Sequence, residues 1–325
     1  MQFVRLGRTG LQVSRIALGA MGFGSPTWRS WVLDRKKSAS ILARALEHGI
    51  NLIDTCDFYS AGESERLLGE LLREMNARNA VLIATKLGNP TGKGPNDRGY
   101  SRKHIIEAVD ASLVRLKTDR IDLLQTHIWD PSTNIEEMVE AFDFVVRQGK
   151  VLYVGGTDIP CWQFARAICH ARVNRLTQFS TMQHHYNALW REDERELIPY
   201  CRAEGIGLLP YSPLARGLLT GAARRLERIT ERARTDEYAN LWYGRPADTT
   251  LIERVEKIAE RLSVKPAAVA LAWVFAKAPE AVPVFGATSL FQVDEAVNAI
   301  SLVLPDEDVR LIDEAYLPRP GGGHF

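Results

Sequence analysis

The stretch Ile50-Asn51-Leu52-Ile53-Asp54 is a short apolar run that ends in a carboxylate. Two later apolar runs end in a similar way, one at Lys86 and one at His127, and Tyr59 follows shortly after the first run. If the three runs are neighbouring parallel strands, their carboxyl ends meet at one rim, which is where β/α barrels place their chemistry. A carboxylate, a phenol, an ammonium and an imidazole at one rim predict a proton-transfer site.

Strand-like and helix-like segments alternate from about residue 15 onward. The predicted strands are residues 16–18, the runs that end at Asp54, Lys86 and His127, and residues 151–155, 177–183, 206–211 and 281–285. The predicted helices are residues 35–48, 63–74, 101–116, 134–148, 160–171, 192–204, 249–262 and 265–277. Eight such units over about 300 residues predict a (β/α)8 TIM barrel of the α/β class.

The first residues precede this barrel. Residues 4–6 and 11–13 flank Gly7-Arg8-Thr9-Gly10, which predicts a β-hairpin that could close the barrel floor. A doubly wound sheet is the alternative, but the glycines within residues 19–24 lack the GxGxxG spacing and no helix follows them directly. No linker divides the sequence, so we expect residues 1–325 to form a single barrel domain with long rim loops.

Composition narrows the class of protein. The 325 residues carry 41 Lys and Arg against 40 Asp and Glu, a balance that gives no reason to expect nucleic acid or a membrane surface as a partner. No apolar run approaches the roughly 20 residues that cross a bilayer. The scattered cysteines and the N-terminus without a signal-peptide pattern favour a reduced, cytoplasmic setting. We expect a small-molecule substrate and a monomer or small homo-oligomer.

Residues 213–248 interrupt the alternation. The segment carries charged runs at residues 224–228 and 231–234 and then Trp242-Tyr243-Gly244. Loops of this length inside a compact domain tend to be lids or binding loops. A solvated, charged surface helix explains the same pattern equally well, so both interpretations stay open.

Several of these pieces together resemble the aldo-keto reductases, and the similarity covers nearly the whole chain. The pieces that carry it are residues 51–55 with Tyr59, residues 84–86, residues 122–127 and residues 211–221. Residues 183–187 and 316–320 resemble a bacterial subgroup related to potassium-channel β subunits.

The resemblance implies a barrel that binds NADPH or NADP+ in an extended pose, with hydride passing between nicotinamide C4 and a substrate carbonyl. It therefore implies an NADPH-dependent reductase of aldehydes or ketones. A cofactor-sensing regulatory subunit, like the channel β subunits, is the alternative. A metal-dependent barrel isomerase or hydrolase is a third interpretation, and the lack of a convincing carboxylate and histidine ligand cluster argues against it and against a bound metal.

The four rim residues have chemically complementary roles. Tyr59 can give a proton to the carbonyl oxygen, although a free phenol has a pKa of about 10. A cation beside it stabilises the phenolate, and Lys86 is the candidate. Asp54 would anchor the Lys86 ammonium, and His127 can donate a hydrogen bond to the carbonyl. The resemblance implies the same roles at these positions.

The resemblance also implies cofactor contacts. Tyr211 would stack on the nicotinamide and Gln183 would hold its carboxamide, which Thr157-Asp158 would also touch where the family usually has Ser-Asn. The remaining contacts are expected at the pyrophosphate, from Ser212, Leu214, Arg216 and Gly217, and at the adenosine end, from Gly286, Thr288, Gln292 and Glu295. Many members have Arg or Lys where Gln292 stands, so NADH is possible as well as NADPH.

The substrate pocket is expected at aromatic and apolar residues of the rim loops. Met21 and Trp129 are the leading candidates, and the wider set adds Phe23, Trp28, Trp31, Trp242 and Tyr243. Such a lining predicts a broad apolar or ring-bearing carbonyl substrate. The adjacent His184 and His185 would face opposite ways on a strand, which argues against a shared metal site.

Overall fold

A computed structural model describes residues 1–221, Arg232 and residues 235–319. Eight parallel strands close into a barrel, because the last strand pairs with both its predecessor and the first barrel strand. The barrel strands are β3 (Ala17–Gly19), β4 (Leu52–Asp54), β5 (Leu82–Leu87), β6 (Ile121–Thr126), β7 (Val151–Thr157), β8 (Thr181–His185), β9 (Gly207–Tyr211) and β10 (Val284–Phe285). The predicted TIM barrel is confirmed.

The predicted hairpin precedes the barrel, with β1 (Phe3–Arg5) antiparallel to β2 (Gln12–Ser14). Its turn lies against the start of β9, where Gly7 has φ +55° and a Cβ there would stand 2.5 Å from the Gly207 nitrogen. The Arg8 N–H donates to the Gly205 carbonyl at 2.8 Å. The hairpin therefore covers the amino end of the barrel, opposite the rim of the predicted site.

Helices surround the barrel. Those that the structure describes are α1 (Arg35–Glu47), α2 (Glu63–Glu74), α3 (Arg102–Leu116), α4 (Ile135–Arg147), α5 (Cys161–Val173), α6 (Leu197–Glu204), α7 (Glu237–Trp242), α8 (Pro246–Leu262), α9 (Pro266–Lys277), α10 (Leu290–Asn298) and α11 (Asp306–Glu314). None of them is long and apolar enough to cross a membrane.

Several predicted boundaries were wrong, and three of them have a clear physical reason. The strand predicted from residue 177 begins at Thr181, because the Thr177 N–H is held by the Asp143 carboxylate at 2.8 Å and not by the sheet. The strand predicted over residues 281–285 is only β10, since Pro283 has no N–H for the ladder.

The helix predicted from residue 192 is a turn of 3-10 helix, Glu192–Glu194, followed by α6. Pro199 has no N–H to donate and is tolerated only in a first helical turn, so the α-helix begins close before it, at Leu197. The charged runs at 224–228 and 231–234 lie outside the described residues apart from Arg232. The choice between a lid and a solvated helix is therefore still a prediction.

Strand alternation decides which side chains reach the barrel interior. Leu52, Ala84 and Leu123 pack together inside the barrel, whereas Ile53 and Leu124 pack outward against the helices. Since successive side chains of a strand face opposite sides, the residues two positions after the inward ones also face inward. The chain thus directs Asp54, Lys86 and Gln125 into the carboxyl end of the barrel.

The contact between α2 and α3 leaves no room for a side chain at Gly69. A Cβ there would lie 2.4 Å from the Leu116 carbonyl oxygen and 2.7 Å from the Leu116 Cα. Alanine normally stabilises a helix interior relative to glycine. At this position the steric clash with Leu116 is the larger effect. We therefore expect Gly69→Ala to lower the free energy of unfolding by about 1–3 kcal/mol. Denaturant unfolding measures this. Gly10→Ala, where a Cβ would meet nothing within 4 Å, is the control. A Gly69→Ala variant as stable as the wild type would contradict the prediction.

Candidate active site

Parallel pairing sets the site at the carboxyl rim. Asp54 lies beside Ala84, and Lys86 lies beside Gln125, in adjacent strands. Lys86 is 1% exposed and Asp54 4% exposed, so both charges are removed from water. Buried charges of this kind persist only when they are paired and hydrogen-bonded.

The Lys86 ammonium is held by Asp54. Its Nζ donates to Asp54 Oδ1 at 2.5 Å and to the Thr55 carbonyl at 2.9 Å. The other Asp54 oxygen accepts from the Gln183 amide at 2.9 Å and from the Gln125 amide at 3.3 Å. Burial opposes the charged form of Lys86, but Asp54 and other neighbouring groups outweigh it, so the pKa of Lys86 lies above its ordinary value. Lys86 is a fixed cation.

Tyr59 lies against this cation. Lys86 Nζ is 5.3 Å from the centre of the Tyr59 ring. Tyr59 begins a sharp turn in which Ser60 and Ala61 have φ near +50° (51° and 54°), a conformation that non-glycine residues rarely adopt. Burial raises the pKa of Tyr59 above 10, and the Lys86 charge lowers it, with burial the larger effect. Tyr59 is therefore protonated and available as an acid.

His127 stands beside Tyr59, with the ring centres 5.5 Å apart and the planes nearly perpendicular at 86°. Its backbone N–H donates to the Tyr100 hydroxyl at 2.9 Å, and that hydroxyl donates to the Ile128 carbonyl at 2.6 Å. Burial, and then the Lys86 charge, lower the pKa of His127 to about 3. The imidazole is therefore neutral, with one ring N–H to donate.

Two residues at the site were missed in the sequence. Gln125 is fully buried on the inward face of β6, and a polar residue two positions after inward Leu123 was a usable signal. Cys56 is also fully buried, and its Sγ lies 2.9 Å from His127 Nδ1. Its position between Asp54 and Tyr59 was the only sequence signal.

At the predicted nicotinamide end, the structure joins Asp158 to Tyr211. The Tyr211 hydroxyl donates to Asp158 Oδ2 at 2.9 Å. Burial raises the pKa of Asp158 to about 7, against the opposing effect of that hydrogen bond. The ring of His185 stacks on Tyr211, with centres 5.2 Å apart and planes 11° apart. Thr157 precedes Asp158 and its hydroxyl is buried without a partner among the described residues.

The predicted pyrophosphate segment forms an irregular turn after β9. Ser212, Arg216 and Gly217 have φ values of 52°, 56° and 101°. Successive residues of unusual φ can turn several N–H groups to one side, which suits phosphate oxygens. The Arg216 side chain is 5% exposed and its Nε donates to Asp236 at 2.7 Å, while its Nη2 is buried without a partner among the described residues. Leu214 is half-buried in the same turn.

The predicted adenosine end lies between β10 and α10. Gly286 and Thr288 are exposed, and the Thr288 N–H donates to the Gln292 side-chain oxygen at 2.7 Å. Ser289 caps α10 by accepting from the Gln292 N–H at 3.4 Å. Burial raises the pKa of Glu295, whose Oε1 is buried and lacks a partner within the described part of the chain.

These orphaned polar atoms fit an extended dinucleotide. The atoms are a hydroxyl at Thr157, a guanidinium nitrogen at Arg216 and a carboxylate oxygen at Glu295. They belong to the predicted nicotinamide, pyrophosphate and adenosine sites, in that order. Buried polar groups are normally hydrogen-bonded, so each atom has an unmet requirement that a carboxamide, a phosphate or an adenosine could satisfy. The residues present therefore suit a nicotinamide dinucleotide.

The expected substrate residues divide into two groups. Met21 and Trp129 are partly exposed, and Trp28 lies 6.4 Å from the Tyr59 ring between centres. Phe23 and Tyr243, by contrast, are buried packing residues and not pocket walls. The Tyr243 hydroxyl is hydrogen-bonded to His185 Nε2 at 2.6 Å.

The two adjacent histidines of β8 face different partners. His184 Nδ1 is 3.0 Å from Asp193, whereas His185 contacts Tyr243 and the aromatic rings around it. Among residues 1–221, 232 and 235–319, no group of three His, Cys, Asp or Glu side chains is arranged to hold a metal ion.

A family model described as the aldo/keto reductase family matches residues 15–317. The chain belongs to the aldo/keto reductase family. Versiconal hemiacetal acetate reductase of Aspergillus parasiticus is 38% identical over an alignment 340 residues long, which covers 98% of each chain. A putative aryl-alcohol dehydrogenase of Saccharomyces cerevisiae is 37% identical, with 97% of each chain covered. An aldo-keto reductase of Alternaria alternata is 38% identical, covering 98% of this chain and 93% of its own.

These matches establish an oxidoreductase enzyme of the aldo-keto reductase family. The relatives named above are fungal reductases and an alcohol dehydrogenase. They do not favour the narrower assignment to a bacterial subgroup related to potassium-channel β subunits, nor the regulatory-subunit alternative.

Proposed function

We propose that this protein is an NADPH-dependent reductase that converts aldehyde or ketone carbonyls to alcohols, with Tyr59 as the general acid. The observation that carries the proposal is the buried Lys86 ammonium, fixed by Asp54 at 2.5 Å and placed 5.3 Å from the centre of the Tyr59 ring. A phenol beside a fixed cation can release its proton to a developing alkoxide more readily than a phenol alone.

Each residue has one role in this proposal. A reduced nicotinamide held by Gln183, Asp158 and Tyr211 would supply the hydride for the carbonyl carbon. As charge develops on the carbonyl oxygen, the Tyr59 O–H bond breaks and its proton forms the alcohol O–H, while Lys86 stabilises the phenolate that remains. Asp54 keeps the ammonium in place. His127 is neutral and donates its ring N–H to the carbonyl oxygen, and Tyr59 is reprotonated from solvent after the alcohol leaves.

The pocket residues favour ring-bearing carbonyls. Trp28 contacts Phe58 with ring centres 6.0 Å apart and lies close to Tyr59, so a flat apolar group would meet an aromatic wall beside the acid. Met21 and Trp129 are partly exposed at the same rim and provide further apolar surface. The name of the aryl-alcohol dehydrogenase relative agrees with such a substrate.

NADPH is the proposed cofactor, with NADH as the alternative. Arg216 offers positive charge towards a phosphate, and the positive end of α10 lies near the predicted adenosine end. Gln292 adds no charge there, which weakens the discrimination between the two cofactors. A cytoplasmic setting and a monomer or small homo-oligomer also remain predictions.

The proposal is tested by following cofactor oxidation with a panel of aliphatic and aromatic aldehydes, ketones and quinones, with NADPH and NADH in parallel. We expect carbonyl-dependent oxidation, faster with aromatic carbonyls and with NADPH. Tight NADPH binding without turnover of any compound would instead support a cofactor-sensing role, and this outcome would contradict the proposed reductase.

Asp158 is expected to set the balance between the two redox forms of the cofactor. Its carboxylate, held by Tyr211, would lie where a cationic oxidised nicotinamide gains from negative charge. We expect Asp158→Asn to raise the ratio of the NADP+ to the NADPH dissociation constant by about tenfold, which corresponds to about 1.4 kcal/mol. Titration of both cofactor forms measures the ratio.

The same titration at two pH values checks whether the negative charge of Asp158 favours NADP+ over NADPH. Because burial raises the pKa of Asp158 to about 7, the carboxylate is charged at pH 8 and largely protonated at pH 6. The wild type should therefore favour NADP+ more strongly at the higher pH, and Asp158→Asn should lose most of this dependence. An unchanged ratio in the variant would rule the hypothesis out.

A further inference from the structure

We propose that Cys56 and Asp57 form a relay that decides which ring nitrogen of His127 carries its proton. This inference rests on the proposed carbonyl reduction, because it concerns the hydrogen bond from His127 to the substrate. Cys56 is a positioning residue in this scheme, since it touches the imidazole and not the substrate.

The contacts of the thiol define the relay. Cys56 Sγ lies 2.9 Å from His127 Nδ1 on one side and 3.3 Å from Asp57 Oδ1 on the other. It also accepts the Phe58 N–H at 3.3 Å. Both Cys56 and Asp57 are buried, at 0% and 3% exposure, so water does not replace these contacts.

A thiol has one hydrogen to share between these two acceptors. If Asp57 is a carboxylate, it is the stronger acceptor and takes the thiol hydrogen, so the neutral imidazole directs its own hydrogen from Nδ1 to sulfur. His127 Nε2 then has no hydrogen to donate. If Asp57 is protonated, it donates to sulfur, the thiol donates to Nδ1, and Nε2 keeps the hydrogen that a carbonyl requires.

The surroundings of Asp57 favour its protonated form. Its Oδ2 is buried without a partner among the described residues, and Glu65 on α2 is a fully buried carboxylate nearby. Arg115 on α3 opposes this effect, but its Nε donates to Glu65 at 2.6 Å. Tyr100 also faces this carboxyl. Burial and then the Glu65 charge raise the pKa of Asp57 to about 7.

The cation at the site does not disturb this scheme. Burial raises the pKa of the Cys56 thiol well above 9, although the Lys86 charge acts in the opposite direction. The pKa of His127 is lowered to about 3, so its imidazole stays neutral between pH 6 and pH 8. Of the three groups in the relay, only Asp57 therefore changes charge near neutral pH, and lower pH selects the donating form of His127.

The direct test is the tautomer of His127, read from the ring 15N shifts in protein labelled at histidine. The His127→Gln variant identifies its signal among the 7 histidines. In the wild type we expect the hydrogen on Nε2 at pH 6 and a shift towards Nδ1 at pH 8. Cys56→Ser keeps a hydroxyl donor and should behave as the wild type, whereas Cys56→Ala should lose the pH-dependent change. Cys201→Ala, at a buried thiol on α6, is the matched control.

A second variant keeps the inference falsifiable if Cys56→Ala does not fold. Asp57→Asn presents an amide that donates to sulfur at every pH, so it should hold His127 in the Nε2–H form from pH 6 to pH 8. It should also remove the change in kcat that follows the ionisation of Asp57 near pH 7. A tautomer unchanged by both Cys56→Ala and Asp57→Asn would overturn the relay. The tautomer needs no turnover, so a failure of the proposed reductase would be seen separately in the carbonyl panel.

Discussion

The Tyr59→Phe variant is expected to lose about 10²–10⁴-fold in kcat, the range that positioned general acids contribute, while its cofactor binding is kept. The phenyl ring retains the edge-to-face contact with His127 and the position over Lys86, since both depend on the ring and not on the hydroxyl. Only the proton donor is removed. The developing alkoxide would then have no acid beside the cation.

The measurement is single-turnover oxidation of bound cofactor by a carbonyl that the wild type reduces, together with cofactor titration of both proteins. Tyr200→Phe is the matched control, because this partly exposed tyrosine lies on α6 and packs against Phe164, away from the site. Retention of most of the wild-type rate in Tyr59→Phe would exclude Tyr59 as the acid. A loss of cofactor binding instead would point to a structural defect.

The barrel and the inward positions of Asp54 and Lys86 were predictable because both follow from strand alternation. Leu52 and Asp54 differ by two positions, so an inward Leu52 requires an inward Asp54 wherever the strand is regular. The same rule brings Lys86 inward after Ala84. The sequence pattern alone therefore predicts that two opposite charges meet inside the carboxyl rim of the barrel.

The loop between β4 and α2 was not predictable in this way. Its path depends on the positive φ values at Ser60 and Ala61, and neither residue type signals such a conformation. Cys56 lies against His127 in the same loop, and a lone buried cysteine in a sequence indicates only a small apolar residue. The hydrogen bond from Tyr211 to Asp158 was not predicted for a similar reason, since it joins the last residue of β9 to the residue that follows β7.

The Lys86→Met variant is expected to lose both activity and stability. Methionine resembles the lysine side chain in length but leaves the buried Asp54 carboxylate without its cation. Breaking one partner of a buried ion pair costs about 3–5 kcal/mol, because the remaining charge stays uncompensated. The two amides of Gln125 and Gln183 still donate to Asp54 and keep the loss within this range.

Adding Asp54→Asn to Lys86→Met separates the two effects, because the double variant carries no buried charge at this position. Replacing both members of a buried pair is often close to neutral for stability. We therefore expect most of the lost unfolding free energy to return in denaturant titrations, while kcat stays at the level of Lys86→Met since Tyr59 still lacks its cation. A double variant as unstable as the single one would show that Lys86 acts by packing and not by charge. Restored turnover would show that the phenol needs no cation, which would remove the central support for Tyr59 as an activated acid.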